Sequence, residues 1–436
     1  MPIRPLRLPP VLRSLPAAGL LRALPLHGLG ALASRFYVYL SGFLAVFLLA
    51  AHVAPARFGA YSIYQSVLEA ALVIGTLGSS LLFSRHATGP GPRIQRGDLV
   101  RTLAIGLPIA LLLALGMLAL QRVPASATAL VLVAATLAVF SFNSLRLAYS
   151  RGLGHAGLLN LESGVRSSIL VLGVAGLAVL GHAGDALDVP QLLAINLFAF
   201  VLVAAAIVRA GSAGRPPRGA ATLALSAQGG ATIYSLLLFL LRKSDLLVVA
   251  FFMPLGYVGA FKLAFLLAEA PSQFVQAFLY TKTPAMRTAS AEQLDASVFR
   301  LARQSFLLGC GLFAGLAALI VLAAPLLKVG REALEIFLCI APYFLLRTYT
   351  VHHEMLLALR VPVASLARWA LLEVGLRLLS YAVVIRAFPG QPHYVFLLAC
   401  VSDFVLYELR MRLEFGTYPI VRMARGLARG AWRRQP

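Results

Sequence analysis

The chain has 436 residues, of which 60% are hydrophobic and 12% charged, and its mean hydropathy is +0.85. Soluble domains carry about 25% charged residues, so this composition excludes a soluble globular protein. The net charge of +22, from 38 Lys and Arg against 16 Asp and Glu, would suit nucleic acid if it formed a patch. Instead the basic residues fall between apolar runs long enough to span a bilayer, which predicts an all-α polytopic membrane protein with no nucleic-acid partner.

In chain order, residues 1–30 carry Arg4, Arg7, Arg13 and Arg22 among prolines, with no compact apolar core ending at a cleavage site, and read as a retained cytoplasmic leader. About twelve spans follow. Six lie at 36–53, 61–83, 103–120, 127–148, 168–180 and 192–208. A polar stretch containing Gly-Arg-Pro-Pro-Arg-Gly, assigned to a linker at 211–226, precedes six more at 233–252, 257–278, 306–327, 333–357, 366–385 and 395–411. The expected organisation is therefore a six-helix lobe at 31–210, a second at 227–413 and a basic cytoplasmic tail at 414–436.

Lys and Arg beside short loops stay cytoplasmic. With the N-terminus inside, 27 basic residues fall on the cytoplasmic side and five outside (Arg57, Arg122, Lys328, Arg331 and Arg386), which places both termini in the cytoplasm. Cys310, Cys339 and Cys400 lie singly in apolar runs, as buried thiols do. The sequence also echoes itself: Gly59-Ala60-Tyr61 with Glu69 returns as Gly259-Ala260-Phe261 with Glu269, an offset of 200 that matches the spacing of the two sets of spans. With an even number of spans in each half, such a repeat is parallel, with a pseudo-twofold along the membrane normal.

A charge at the bilayer centre costs about 2.5–3.5 kcal/mol, so intramembrane charges face protein or a wet cavity. Six basic residues lie within spans or at their edges: Arg35, Arg242, Lys243, Lys262, Arg347 and Arg377. Arg242 with Asp245, and Glu373 with Arg377, have the spacing of same-helix ion pairs. Arg347 has its nearest same-helix acid, Glu354, about 10 Å away along the axis, and so calls for a partner on another helix or an anionic ligand. Arg35 either snorkels to the interface or faces a cavity. Tyr61, Gln65 and Glu69 form one polar stripe, and Lys262, Glu269, Gln273 and Gln276 another, which serve either as cavity lining or as interhelical hydrogen-bond glue. The six basic residues together offer a cationic lining for an anionic group, Arg as a bidentate fork and Lys as a point charge. Glu69, Asp245, Glu269 and Asp403 are candidates for ion coupling. There is no phosphate-binding loop of the nucleotide-hydrolase type. His352 and His353 point about 100° apart on a helix, a poor start for a metal site, so no cofactor or metal is expected. Spaced catalytic acids in outer loops are also missing, which speaks against an enzyme.

The turn and helix entry Ala54-Pro55-Ala56-Arg57-Phe58-Gly59-Ala60-Tyr61 resembles the P-x-x-[FY]-G-x-Y entrance to span two of polysaccharide flippases of the multidrug/oligosaccharidyl-lipid/polysaccharide exporter superfamily. Ser244-Asp245 with Gly256-Tyr257-Val258-Gly259-Ala260-Phe261 is similar to that family's span-seven aspartate and its entry to span eight. The resemblance implies two six-helix lobes opening alternately to either side of a bacterial inner membrane. It implies as cargo a polyprenyl-pyrophosphate-linked oligosaccharide, for O-antigen, capsule or exopolysaccharide assembly, and as partners membrane lipids, a polysaccharide polymerase and chain-length machinery. Peptidoglycan-precursor flippases, which usually carry two further spans, match the length less well. A multidrug exporter of the same superfamily is the alternative, and an integral-membrane enzyme of glycan assembly the third reading. A net basic lining favours the anionic cargo.

Overall fold

The computed structural model describes residues 26–86, 94–121, 123, 125–152, 161–177, 188–209, 216–288, 291–323, 325, 330–360, 363–416 and 418–422. Residues 1–25 of the expected leader (1–30), 211–215 of the linker (211–226) and 423–436 of the tail (414–436) lie outside them. Among the described residues there is no strand, and twelve helices have 17 residues or more. They are α1 (Leu26–His52), α2 (Pro55–Gly75), α4 (Arg96–Leu120), α5 (Ala127–Gly152), α6 (Leu161–Leu177), α7 (Val189–Arg209), α8 (Leu225–Lys243), α10 (Leu255–Thr288), α11 (Ala291–Ala323), α12 (Gly330–Arg360), α13 (Val363–Ala387) and α14 (Val395–Phe415). Two short helices, α3 (Ser80–Arg85) and α9 (Asp245–Phe252), continue α2 and α8 after a break. Among the described residues six helices meet the length and hydropathy of a membrane span, including α4, α5 and α7.

Each predicted span falls on a long helix, but the boundaries differ in two ways. The second span is interrupted after Gly75, where Leu77 and Gly78 take positive φ of 46° and 56°. That left-handed conformation suits glycine, and a Cβ on Gly78 would lie 2.4 Å from the Ala231 carbonyl oxygen. The seventh span is interrupted at Ser244 between α8 and α9. Conversely, α10 runs ten residues beyond its predicted end and α11 starts fifteen before its predicted start. Hydropathy marks only the bilayer-crossing part of a helix, whereas charged, helix-forming segments such as Ala291–Arg303 carry the backbone pattern onward.

The described residues pack into two compact units. The first comprises Tyr37–Leu266 with Val321–Ile336; the second comprises the described residues of Met1–Phe36, Leu267–Ile320 and Phe337–Pro436. In the first unit α2 is the central helix, packed against α4, α5, α7, α8 and α9. Gly106, Ala110 and Ala114 form the small-residue face that α4 buries, and they let its backbone approach α2 closely, as membrane helices do without a hydrophobic drive between them. The opposite face of α4, with Ile105, Ile109 and Leu112, is exposed and apolar, as lipid contact requires. In the second unit α13 packs along α14. The segment 418–422 is docked there by the Tyr349 hydroxyl, which donates to the Pro419 carbonyl at 2.7 Å, and by the Ile420 amide, which donates to Glu408 at 2.6 Å.

The linker is anchored on α4. Asp98, fully buried in the first turn of α4, accepts from the amides of Thr222 at 2.7 Å and Leu223 at 2.8 Å. It also accepts from the Gln95 amide at 2.8 Å, as half of a capping box. The Arg96 amide donates to the Pro217 carbonyl at 2.8 Å.

Candidate functional site

The central position of α2 turns its polar stripe inward. Gln65 donates its side-chain amide to the Tyr61 hydroxyl oxygen at 2.7 Å, and Asn196 of α7 donates to the same oxygen at 2.7 Å. Tyr61 and Asn196 are both buried. Two turns along, half-buried Glu69 feels the charges of Lys243 at the end of α8, Lys262 on α10 and Arg166 on α6. Arg166 also acts on the Tyr61 hydroxyl, and its guanidinium lies 5.8 Å from the centre of the Phe200 ring. Asp245, two residues after Lys243, is buried in the first turn of α9. The first unit thus gathers three basic side chains from three helices around Glu69.

Arg166 and Asn196 are the residues that sequence reasoning missed. Arg166 precedes the span expected at 168–180, but α6 begins at Leu161 and carries it in its second turn. Its neighbours Ser167 and Ser168 are also polar, so no periodicity singles it out, and its place depends on α6 packing against α7.

The second unit holds a larger ionic group. Arg377 of α13 donates to Asp403 of α14 at 2.5 Å and to the Tyr343 hydroxyl of α12 at 2.7 Å. Its guanidinium lies 4.7 Å from the Tyr343 ring centre and 5.4 Å from that of Phe396. The strong partner of Arg377 is therefore on the next helix, while Glu373, its expected same-helix partner, lies 3.8 Å from Arg410. Arg347 does reach Glu354, at 3.9 Å. Seven residues are nearly two full turns, so the two share a face, and their long side chains close a gap that axial rise alone leaves open. Glu269, which accepts from Gln273 at 2.5 Å, also acts on Arg347. Arg347, Arg377 and Arg410 thus stand among Glu269, Glu354, Glu373 and Asp403. Of the six basic residues expected to line a site, Arg347 and Arg377 stand beside carboxylates in the second unit, and Lys243 and Lys262 lie in the first.

The side chains of Arg35, Arg242 and Gln276 lie outside the described residues. His352 lies 2.7 Å from the Ser305 hydroxyl, and His353 packs between the rings of Tyr349 and Tyr407. Among the described residues no group of His, Cys, Asp and Glu is arranged to hold a metal.

The echoed segments meet inside the first unit. A Cβ on Gly59 would lie 1.8 Å from the Leu255 carbonyl oxygen, and one on Gly259 2.9 Å from the Phe58 ring. The starts of α2 and α10 therefore touch backbone to backbone, with Phe58, Tyr61 and Phe261 buried around the contact.

No protein-family model matches the chain, and no curated protein matches it either. Solved structures do. The lipid II flippase MurJ in an inward closed conformation aligns with a TM-score of 0.62 and 11% identity, over 89% of this chain and 87% of that one. A multidrug resistance MATE family transporter of the MOP superfamily, in an inward-facing conformation, aligns at 0.54 and 13%, over 92% and 98%. A MATE structure in the straight conformation aligns at 0.53 and 13%, over 93% and 98%. At these identities the likeness is one of fold: the chain shares the all-α fold of these transporters.

Proposed function

We propose, on the premise of this transporter fold, that the chain is a flippase moving a polyprenyl-pyrophosphate-linked oligosaccharide across the bacterial inner membrane, supplying a polymerase and chain-length machinery for surface glycan. The observation that carries the reading is the convergence of Arg166, Lys243 and Lys262 on Glu69 within an apolar helix set. Three cations held near one another repel unless an anion stands between them. Glu69 serves as that anion in the empty site, and an arriving pyrophosphate takes over the pairing, with Arg166 as a fork and the lysines as point charges. A lipid-linked cargo is also what the name of the lipid II flippase states for a protein of the same fold. Arg347 and Arg377, already engaged with carboxylates, belong in this reading to ion coupling, together with Glu269 and Asp403.

Cells producing only Arg166→Gln or Lys262→Gln protein are expected to lose surface glycan and to accumulate completed lipid-linked oligosaccharide on the cytoplasmic leaflet, while the variant protein reaches the membrane at normal level. Unchanged glycan output from both variants would remove the first-unit site. One observation favours a second reading, a cation exporter: the four carboxylates Glu269, Glu354, Glu373 and Asp403 grouped with Arg347, Arg377 and Arg410. Under that reading Glu373→Gln abolishes resistance to cationic drugs while glycan output is untouched.

A further inference from the structure

Where the basic ends of α4, α5 and α7 meet, the first unit has a narrow groove of about 210 Å³. Leu103, Phe142 and Val208 form its apolar walls, and Arg96 and Arg146 stand at its polar end. Leu103 and Phe142 rest on a buried cluster that includes Phe83, Leu145 and Tyr149, so the walls are backed by packed core. The polar end is fixed too, because Asp98 and the Arg96 amide hold the linker against the first turn of α4.

We infer that this groove binds an anionic phospholipid of the bilayer, its acyl chain along Leu103, Phe142 and Val208 and its phosphate at the exposed Arg96, with the buried Arg146 adding positive charge behind it. The site uses none of the residues around Glu69 and is independent of what the protein carries. The outer faces of α4 and α7 are apolar and exposed at Val100 and Val208, whereas Arg96, one turn before Val100, is exposed and charged. A change from hydrocarbon-compatible to cationic surface within one turn, about 6 Å, marks the level of the headgroups. Arg101 and Arg209 add to the same basic end, and Asp98, in the first turn of α4, is fully buried, accepts from the linker amides and lies 3.6 Å from Arg101. Charge complementarity therefore selects a headgroup with net negative charge, as basic pockets between membrane helices do. A soluble anion has no use for the apolar walls, and a zwitterionic lipid brings its own cation to an already cationic rim.

The test uses the full chain purified in detergent, with native mass spectrometry reading retained lipid after incubation with equal amounts of phosphatidylglycerol and phosphatidylcholine. Phosphatidylglycerol is expected to be retained preferentially and to resist displacement by millimolar inorganic phosphate. Arg96→Gln, which alters an exposed side chain and leaves the backbone bond to Pro217 in place, is expected to weaken retention about fivefold, one basic residue being worth about 1 kcal/mol at a membrane surface. Val100→Trp, which crowds the groove, is expected to do the same, and Arg218→Gln to leave retention unchanged. Equal retention of the two lipids, displacement by phosphate, or an equal loss in Arg96→Gln and Arg218→Gln would overturn the inference.

Discussion

Arg377 and Asp403 form an ion pair whose arginine is almost wholly out of contact with solvent. Removing one member of such a pair leaves an uncompensated charge and costs about 3–5 kcal/mol, whereas replacing both by apolar groups is often close to neutral. Arg377→Leu is accordingly expected to lower the Tm of the purified protein markedly, and Arg377→Leu with Asp403→Leu to regain most of the loss. If the pair only holds α13 to α14, transport returns with stability in the double variant; stability without transport assigns the pair to coupling. Both residues stand out in the sequence as intramembrane charges. Their pairing does not, because helical periodicity ranks only same-helix neighbours and so selected Glu373 for Arg377. The first-unit site shows the same division: Glu69, Lys243 and Lys262 were legible as charges out of place, while Arg166 and Asn196 acquire a role only through the helices that bring them to α2.

At the scale of elements, the echo of Gly59-Ala60-Tyr61 in Gly259-Ala260-Phe261 marks a contact. The backbones of α2 and α10 approach so closely at Gly59 that a methyl group has nowhere to go, since its neighbour is the Leu255 carbonyl and not a movable side chain. Gly59→Ala is expected to force the two helix starts apart and to lower both Tm and transport. Gly116→Ala, in the interior of α4 with nothing within 4 Å of the added carbon, is expected to raise stability by about 0.5–1 kcal/mol through helix propensity. Thermal unfolding of the two variants side by side checks both signs. The interruptions at residues 76–79 and at Ser244 had weaker signals. Gly78 is one glycine among 36, and nothing local marks it as the residue whose φ must be positive.

For the whole molecule, the 27 to 5 distribution of basic residues makes an orientation testable. Reporter fusions at Gly91 and Pro436 are expected to report cytoplasm and one at Asp185 the periplasm; a periplasmic signal from Pro436 would overturn the scheme. By itself the sequence determined the membrane class, the all-α fold, the approximate positions of twelve long helices and the identity of most intramembrane charges. It could do so because a bilayer taxes every polar group, so composition and periodicity report burial in lipid almost directly. Only the tertiary structure decided which charges meet. It brought Lys243 and Lys262 to Glu69, set Asp403 against Arg377, and joined Asp98 to the linker. Those outcomes rest on which helix faces turn toward which neighbours, and small residues such as Gly106, Ala110 and Ala114 set that through packing, a property of pairs of helices that no single stretch of sequence carries.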